Sequence, residues 1–202
     1  MWDRVILKEN GKRAFQANYG NSVLAVLALI AVSGIGSPLG PLFAIFVLYP
    51  LQVGVRHYFL VNSYYPAEPD EITFGFHHDY GNTVLTMLLT NLFLWLWTLL
   101  FFPIGFVKAQ SYRLVPYILA DNPGIGATEA ITLSREMMDG HKWDAFVFDL
   151  SFIGWYLLNF LTLGILGILY VYPYHYAADA ELYKAIRDTT FTTGNPSEDN
   201  PY

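Results

Sequence analysis

Charge is segregated along this chain into a few short stretches, and the intervals between them are long. No Asp, Glu, Lys or Arg occurs in residues 14–55, 80–107 or 150–178. Each interval exceeds the ~20 apolar residues needed to cross a bilayer as a helix. A helix on a water-soluble core shows a polar stripe every 3.6 residues, and these intervals lack one. The pattern therefore predicts helices whose solvent is lipid.

The interruptions delimit the elements. Residues 2–16 set Trp2, Val5, Ile6, Leu7, Ala14 and Phe15 among Asp3, Arg4, Lys8, Glu9, Lys12 and Arg13, which predicts an amphipathic helix lying on the membrane surface. A signal peptide is the competing reading of the basic start, the apolar run at 23–32 and Ala31-Val32-Ser33, and the second apolar run, which begins at once, argues against it. Gly34-Ile35-Gly36-Ser37-Pro38-Leu39-Gly40-Pro41 turns the first long interval into a helical hairpin. Its second helix, 42–61, carries Arg56 and His57, read as snorkelling towards headgroups. The polar segment 62–81 is read as a loop. Its His77-His78-Asp79 is not expected to hold metal, because adjacent histidines point apart and zinc needs convergent ligands.

Residues 83–102 form a clean span with Trp95 and Trp97 in its far half. Residues 106–120 return through the membrane although they contain Lys108, Arg113 and Pro116. Asp121-Asn122-Pro123-Gly124 ends that span and caps the next helix. From Ala127, the positions Ala130, Ile131, Ser134, Met137 and Met138 line one face of an amphipathic helix of about four turns, with Gly140 placed as its C-terminal cap. Residues 146–162 make a further span, in which Ser151 and Gly154 offer a small face for close helix approach. Gly164 and Gly167 mark a turn. The last helix carries Pro173-Tyr174, His175, Ala177, Ala178, Asp179, Ala180 and Glu181.

Loop charge sets the orientation. With six spans (18–34, 41–61, 82–102, 104–120, 145–162 and 166–187), Arg4, Lys8, Lys12, Arg13, Arg135, Lys142, Lys184 and Arg187 are all cytoplasmic. A four-span alternative leaves 103–144 outside and puts Lys108, Arg113, Arg135 and Lys142 on the wrong side. The expectation is an all-α, polytopic helical membrane protein with about six transmembrane helices in three hairpins plus a cytoplasmic amphipathic helix. Residues 1–188 form one membrane domain, 121–144 the cytoplasmic helical segment, and 189–202 a disordered polar tail. Both termini are expected in the cytoplasm of a cell membrane.

Composition narrows the function. Hydrophobic residues make up 54% of the 202 and charged ones 14%, against about 25% charged in soluble domains. A net charge of −6 without a concentrated basic face argues against nucleic acid. The absence of cysteine excludes disulfides, thiol catalysis and thiolate metal sites. No Glu-Glu, His-x-x-x-His, Ser-Lys or Asp-dyad pattern sits on one helix face of a span, so no enzyme, no cofactor and no catalytic residue is expected. The candidate site is instead an intramembrane polar cluster of Arg113, Asp149, His175 and Asp179. A charge at mid-bilayer costs about 2.5–3.5 kcal/mol on insertion scales and must face a partner or water; the same residues read equally as structural ion pairs near the interface. Arg113 and Asp149 are expected to pair. The partners expected are the lipid bilayer and a small amphiphile, ion or lipid held in or passed through the bundle interior. An assembly or regulatory protein docking at the 121–144 helix is the alternative.

One stretch also carries a family likeness. Ser111-Tyr112, Pro116-Tyr117-Ile118-Leu119-Ala120-Asp121, Ala130-Ile131, Ser134, Met138, Gly140, Lys142, Leu150-Ser151-Phe152-Ile153-Gly154-Trp155, Thr162-Leu163-Gly164 and Pro173-Tyr174 together resemble domain-of-unknown-function family 975. Upstream, only the two hairpin-like apolar runs and Phe74-Gly75-Phe76 are similar. Where the family usually has Pro-Gly after the third span this chain has Pro103-Ile104-Gly105, and Tyr172 stands where it usually has Asn. The resemblance implies a bacterial cell-membrane protein, of Gram-positive type, and brings no catalytic residues with it.

Overall fold

The computed structural model describes residues 2–36 and 39–193, whose regular elements are all helices, with no strand among them. Helix α1 (Arg4–Ala17) starts where the Asp3 carboxylate accepts the Val5 amide, satisfying one of the orphan donors of a helix start. Helix α2 (Tyr19–Gly36) is apolar on all sides. Gly40, at φ +77°, then hands the chain to Pro41 at the first turn of α3 (Pro41–Asn62). Helix α4 (Tyr80–Leu100) stops at extended Phe101 and folds back as α5 (Phe102–Tyr112). The two pack so closely that a Cβ at Gly105 would lie 2.7 Å from Thr98 Cα. After a break come α6 (Val115–Asp121), α7 (Ala127–Met137), α8 (Lys142–Leu150), α9 (Ile153–Leu161) and α10 (Tyr172–Thr193).

Prolines shape three of these helices. Proline lacks an amide hydrogen and its ring meets the carbonyl four residues back. Ahead of Pro50 the chain widens into a π turn, Ala44–Leu48, and the carbonyl of Phe46 accepts a hydrogen bond from the Tyr80 hydroxyl at 2.8 Å instead. A second π turn, Gly167–Val171, precedes Pro173 in the same way. Ahead of Pro116 the helix breaks outright at Arg113 and Leu114.

Among the described residues, four helical stretches are long and apolar enough to cross a membrane: Tyr19–Gly36, Pro41–Asn62, Tyr80–Leu100 and Lys142–Leu161. Half of the Pro41–Asn62 window is buried, so α3 is the central helix, whereas only 17% of the Lys142–Leu161 window is. The outer face of α9 is apolar and bare, with Phe160 81% and the nearby Leu163 92% exposed. A water-soluble monomer does not carry apolar patches on that scale; the chain is membrane-embedded.

Several expectations change. Residues 2–16 do make an amphipathic helix, but its apolar edge of Leu7, Gly11 and Phe15 is buried, and α1 lies along α10. Contact is closest at Gly11, where a Cβ would stand 2.5 Å from Ala178 Cα. Gly154, by contrast, has nothing near it. It faces outward, so the small face expected there belongs to Gly11 and the alanines of α10. Segment 62–81 is folded onto α3 through a 3₁₀ turn, Pro69–Thr73, and one helical turn, Phe74–His77. Gly54 and Gly75 permit that approach, since a Cβ on either would overlap backbone of the facing segment. His77, His78 and Asp79 remain exposed. The amphipathic segment 121–144 contains one complete helix, α7, whose Ala130, Ile131, Ser134 and Met137 are buried against the bundle, and the start of α8. The expected span 146–162 is interrupted at Ser151 and Phe152. The tail boundary at 188 falls inside α10, which continues to Thr193; residues 194–202 lie outside the described residues.

Candidate functional site

Arg113 ends α5 at the break imposed by Pro116, so its side chain leaves the helix where backbone regularity stops. Its Nη1 and Nη2 donate to the two carboxylate oxygens of Asp149 at 3.1 and 3.0 Å, a fork that matches guanidinium to carboxylate geometry. Nη2 also donates to Asp179 Oδ1 at 2.5 Å, and Nη1 to Gln110 Oε1 at 2.9 Å. Gln110, one turn back on α5, returns a hydrogen bond from Nε2 to Asp149 Oδ2 at 3.2 Å. Asp149 comes from the last turn of α8 and Asp179 from the middle of α10. One turn before Asp179, His175 places Nε2 3.5 Å from Asp149 Oδ1. Its Nδ1 shares a 3.1 Å hydrogen bond with the Tyr156 hydroxyl.

The structure thus brings together all four residues singled out in the sequence, from three helices. The side chains of Arg113 and Asp179 are 13% and 8% exposed and that of Asp149 is 32%. They line a cavity of about 490 Å³, together with Gln52, Thr90, Asn91 and Arg56.

Arg56 is the residue that sequence reasoning misplaced. It does not snorkel: it lies deep in the bundle, with its guanidinium carbon 4.2 Å from the ring centre of Tyr176 and 5.4 Å from that of Tyr117. Among the described residues its Nε and Nη1 have no hydrogen-bond partner. The signal was its depth, since Arg56 stands six residues before the helix end at Asn62, or roughly 9 Å of helix. His57, on the next position, is also held inside. Its Nδ1 donates to the Ala120 carbonyl at 3.0 Å and its Nε2 lies 3.0 Å from Glu71, with its ring stacked on Phe74.

A second polar layer ties the helix ends. Asn18 Nδ2 donates to Asn62 Oδ1 at 2.9 Å and to the Ala67 carbonyl at 2.7 Å. Asn82 donates to the carbonyls of Pro123 and Ile125. Asp121 accepts from the Tyr183 hydroxyl and from Arg187. Lys8 on α1 reaches the Ser151 carbonyl at 3.3 Å, and partial burial lowers the pKa of its ammonium.

Fold and site together define a membrane-embedded helical protein with a charge-balanced polar cavity that opens to the surface. Residues 100–190 match the family described as protein of unknown function, DUF975. This match covers the stretch in which the motifs between Pro103 and Tyr183 resemble the same family. The matched segment holds Arg113, Asp149, His175 and Asp179; Arg56 lies upstream of it. No curated protein and no solved structure matches the chain.

Proposed function

We propose that this is a non-enzymatic membrane protein that binds or passes a small amphiphile, ion or lipid through its polar interior. The observation that carries the reading is the cavity of about 490 Å³ on which Arg56, Arg113, Asp149, His175 and Asp179 converge. Intramembrane charges gathered around an open volume mark a binding or permeation path more often than a structural one. Both carboxylates are engaged by Arg113, which leaves neither free as a general acid or base and supports a role in binding rather than chemistry.

The topology that goes with this reading has six crossings and cytoplasmic termini in a cell membrane. The segments 104–120 and 166–187 are the interior ones. Leu114, Val115, Tyr117 and Leu119, like Ala178, Ala180 and Leu182, are fully buried, so these stretches of the two segments are shielded from lipid and tolerate a polar composition, while Phe106, Val107 and Leu169 face outward. Basic residues then lie on the cytoplasmic side.

Filling the cavity tests the proposal. Asn91→Trp, made on a residue that lines it, is expected to abolish small molecules or lipids that copurify with the wild-type protein and are detected by native mass spectrometry. Unchanged bound material in a folded Asn91→Trp protein would rule the reading out.

A further inference from the structure

We propose that the ligand is an oxyanion, a phosphate or carboxylate group received by Arg56; this rests on the cavity being a binding chamber. The argument is an inventory of charges and donors. Arg56 and Arg113 balance Asp149 and Asp179 formally, but the pairing is lopsided. Arg113 makes contacts to both carboxylates and to Gln110, so those carboxylates have their cation already. A cationic ligand would have to displace Arg113 from a two-pronged contact.

Arg56 is differently placed. Around its guanidinium stand Tyr117, Tyr176 and Asp179, and the rings offer their faces at 5.4 and 4.2 Å. A ring face attracts the positive charge but does not accept the in-plane N–H donors. Nε and Nη1 go without a partner, and arginine presents its donors in two forks, Nε with Nη2 and Nη1 with Nη2, each suited to two oxygens of a phosphate or carboxylate. The side chain is deep in the bundle and borders the open volume. The remaining titratable neighbours are His175 and Tyr156, which bond each other through Nδ1 of the histidine; among the described residues His175 Nε2 is likewise without a hydrogen-bond partner. Met87 and Leu94 of α4 border the same volume, so an anion with an apolar portion has an apolar wall beside it.

The oxyanion has two sources, the headgroup of an anionic phospholipid or a free anion such as phosphate, and the experiment separates them. Full-length protein is placed in nanodiscs of phosphatidylcholine containing phosphatidylglycerol, and lipid retained on release is weighed by native mass spectrometry. Wild type is expected to retain phosphatidylglycerol, Arg56→Gln about tenfold less or lower, and Arg56→Lys an intermediate amount. In parallel, Asn91→Cys, which keeps Arg56 and is the protein's one thiol, is reacted with a small thiol reagent. Slowing by phosphatidylglycerol alone assigns the site to the lipid, and slowing by inorganic phosphate assigns it to a free anion. Either supports the proposal, and this arm decides it even if Arg56→Gln does not fold. Retention unaffected by Arg56→Gln, or labelling slowed by neither probe, overturns it. The chamber itself survives that result if Asn91→Trp still removes bound material, and falls with it if Asn91→Trp changes nothing.

Discussion

Removing Arg113 is expected to cost more than removing either of its carboxylates, and the two carboxylates are expected to differ. Arg113→Leu strands Asp149 and Asp179 together. Breaking a buried ion pair from one side costs about 3–5 kcal/mol, and here the loss falls at the upper end or above, because two anions lose one cation. Asp179→Leu leaves Arg113 with Asp149 and Gln110 but withdraws a carboxylate whose side chain is 8% exposed, for roughly 3–4 kcal/mol. Asp149→Leu is milder, at roughly 1–2 kcal/mol, because a third of that side chain is exposed and Arg113 keeps Asp179.

The double changes discriminate. In Arg113→Leu with Asp179→Leu, the remaining Asp149 retains exposure, the donor Gln110 and the neighbouring His175 ring. In Arg113→Leu with Asp149→Leu, the remaining Asp179 is deeply buried, with Arg56 as its nearest cation. Double-mutant cycles on reversible unfolding in mixed micelles, followed by tryptophan fluorescence, are therefore expected to give a larger coupling for Arg113 with Asp179 than with Asp149, by about 1–2 kcal/mol. Additive losses in both cycles, or a larger coupling to Asp149, would refute the three-residue network.

Three further changes probe other links. Gly11→Leu drives a side chain into the Ala178 backbone and is expected to destabilise by at least about 1–3 kcal/mol and to expose α1 to protease; Gly20→Ala, with nothing near its Cβ, is the control and should leave the melting temperature unchanged or slightly raised. Glu136→Cys, on the exposed face of α7, is expected to react with an impermeant thiol reagent only after cells are opened, and labelling of intact cells would exclude the six-crossing topology. Tyr80→Phe is expected to cost about 1 kcal/mol in the wild type and less in Pro50→Ala, where residue 50 regains an amide for the Phe46 carbonyl; equal costs in thermal unfolding would show that the hydroxyl does not replace the missing backbone bond.

Legibility in the sequence came from what lipid demands. Runs without charge gave α2, α3 and α4 because every helix facing lipid must be apolar on that side, whatever it packs against. The glycine after α7 was legible for a local reason: Gly140 sits at φ +77°, where L side chains are strained. The four polar residues were legible because an ionisable group inside an apolar interval needs a partner. The direction in which a side chain points was not. Arg56 permits two readings at the same depth, outward to headgroups or inward to Tyr117 and Tyr176, and only the rotation of α3 against α6 and α10 chooses between them. Gly154 and Gly11 are likewise indistinguishable as letters; the first ended on the bare side of α9 and the second against Ala178.

The placement of the prolines links fold to chamber. Pro50, Pro116 and Pro173 each interrupt a helix that walls the cavity, and each lies close in sequence to a side chain that lines it: Arg56, Arg113 and His175. Irregular backbone at membrane depth is tolerated only where it is buried in protein or borders a cavity, because a freed carbonyl facing lipid has no donor to meet. Two of the interruptions here have such partners. Phe46 takes the Tyr80 hydroxyl, and the last-turn carbonyl of Ser111 takes the Ser134 hydroxyl at 2.9 Å. That second bond gives α7 a reason to dock, since its serine satisfies the end of the helix that Pro116 cuts short. Cutting α5 at Arg113 in turn releases the guanidinium from the helix flank and lets it reach α8 and α10 at once. An unbroken helix would carry the same residue at the same depth, but the backbone break is what lets one cation serve two carboxylates and leaves Arg56 as the cation without one of its own.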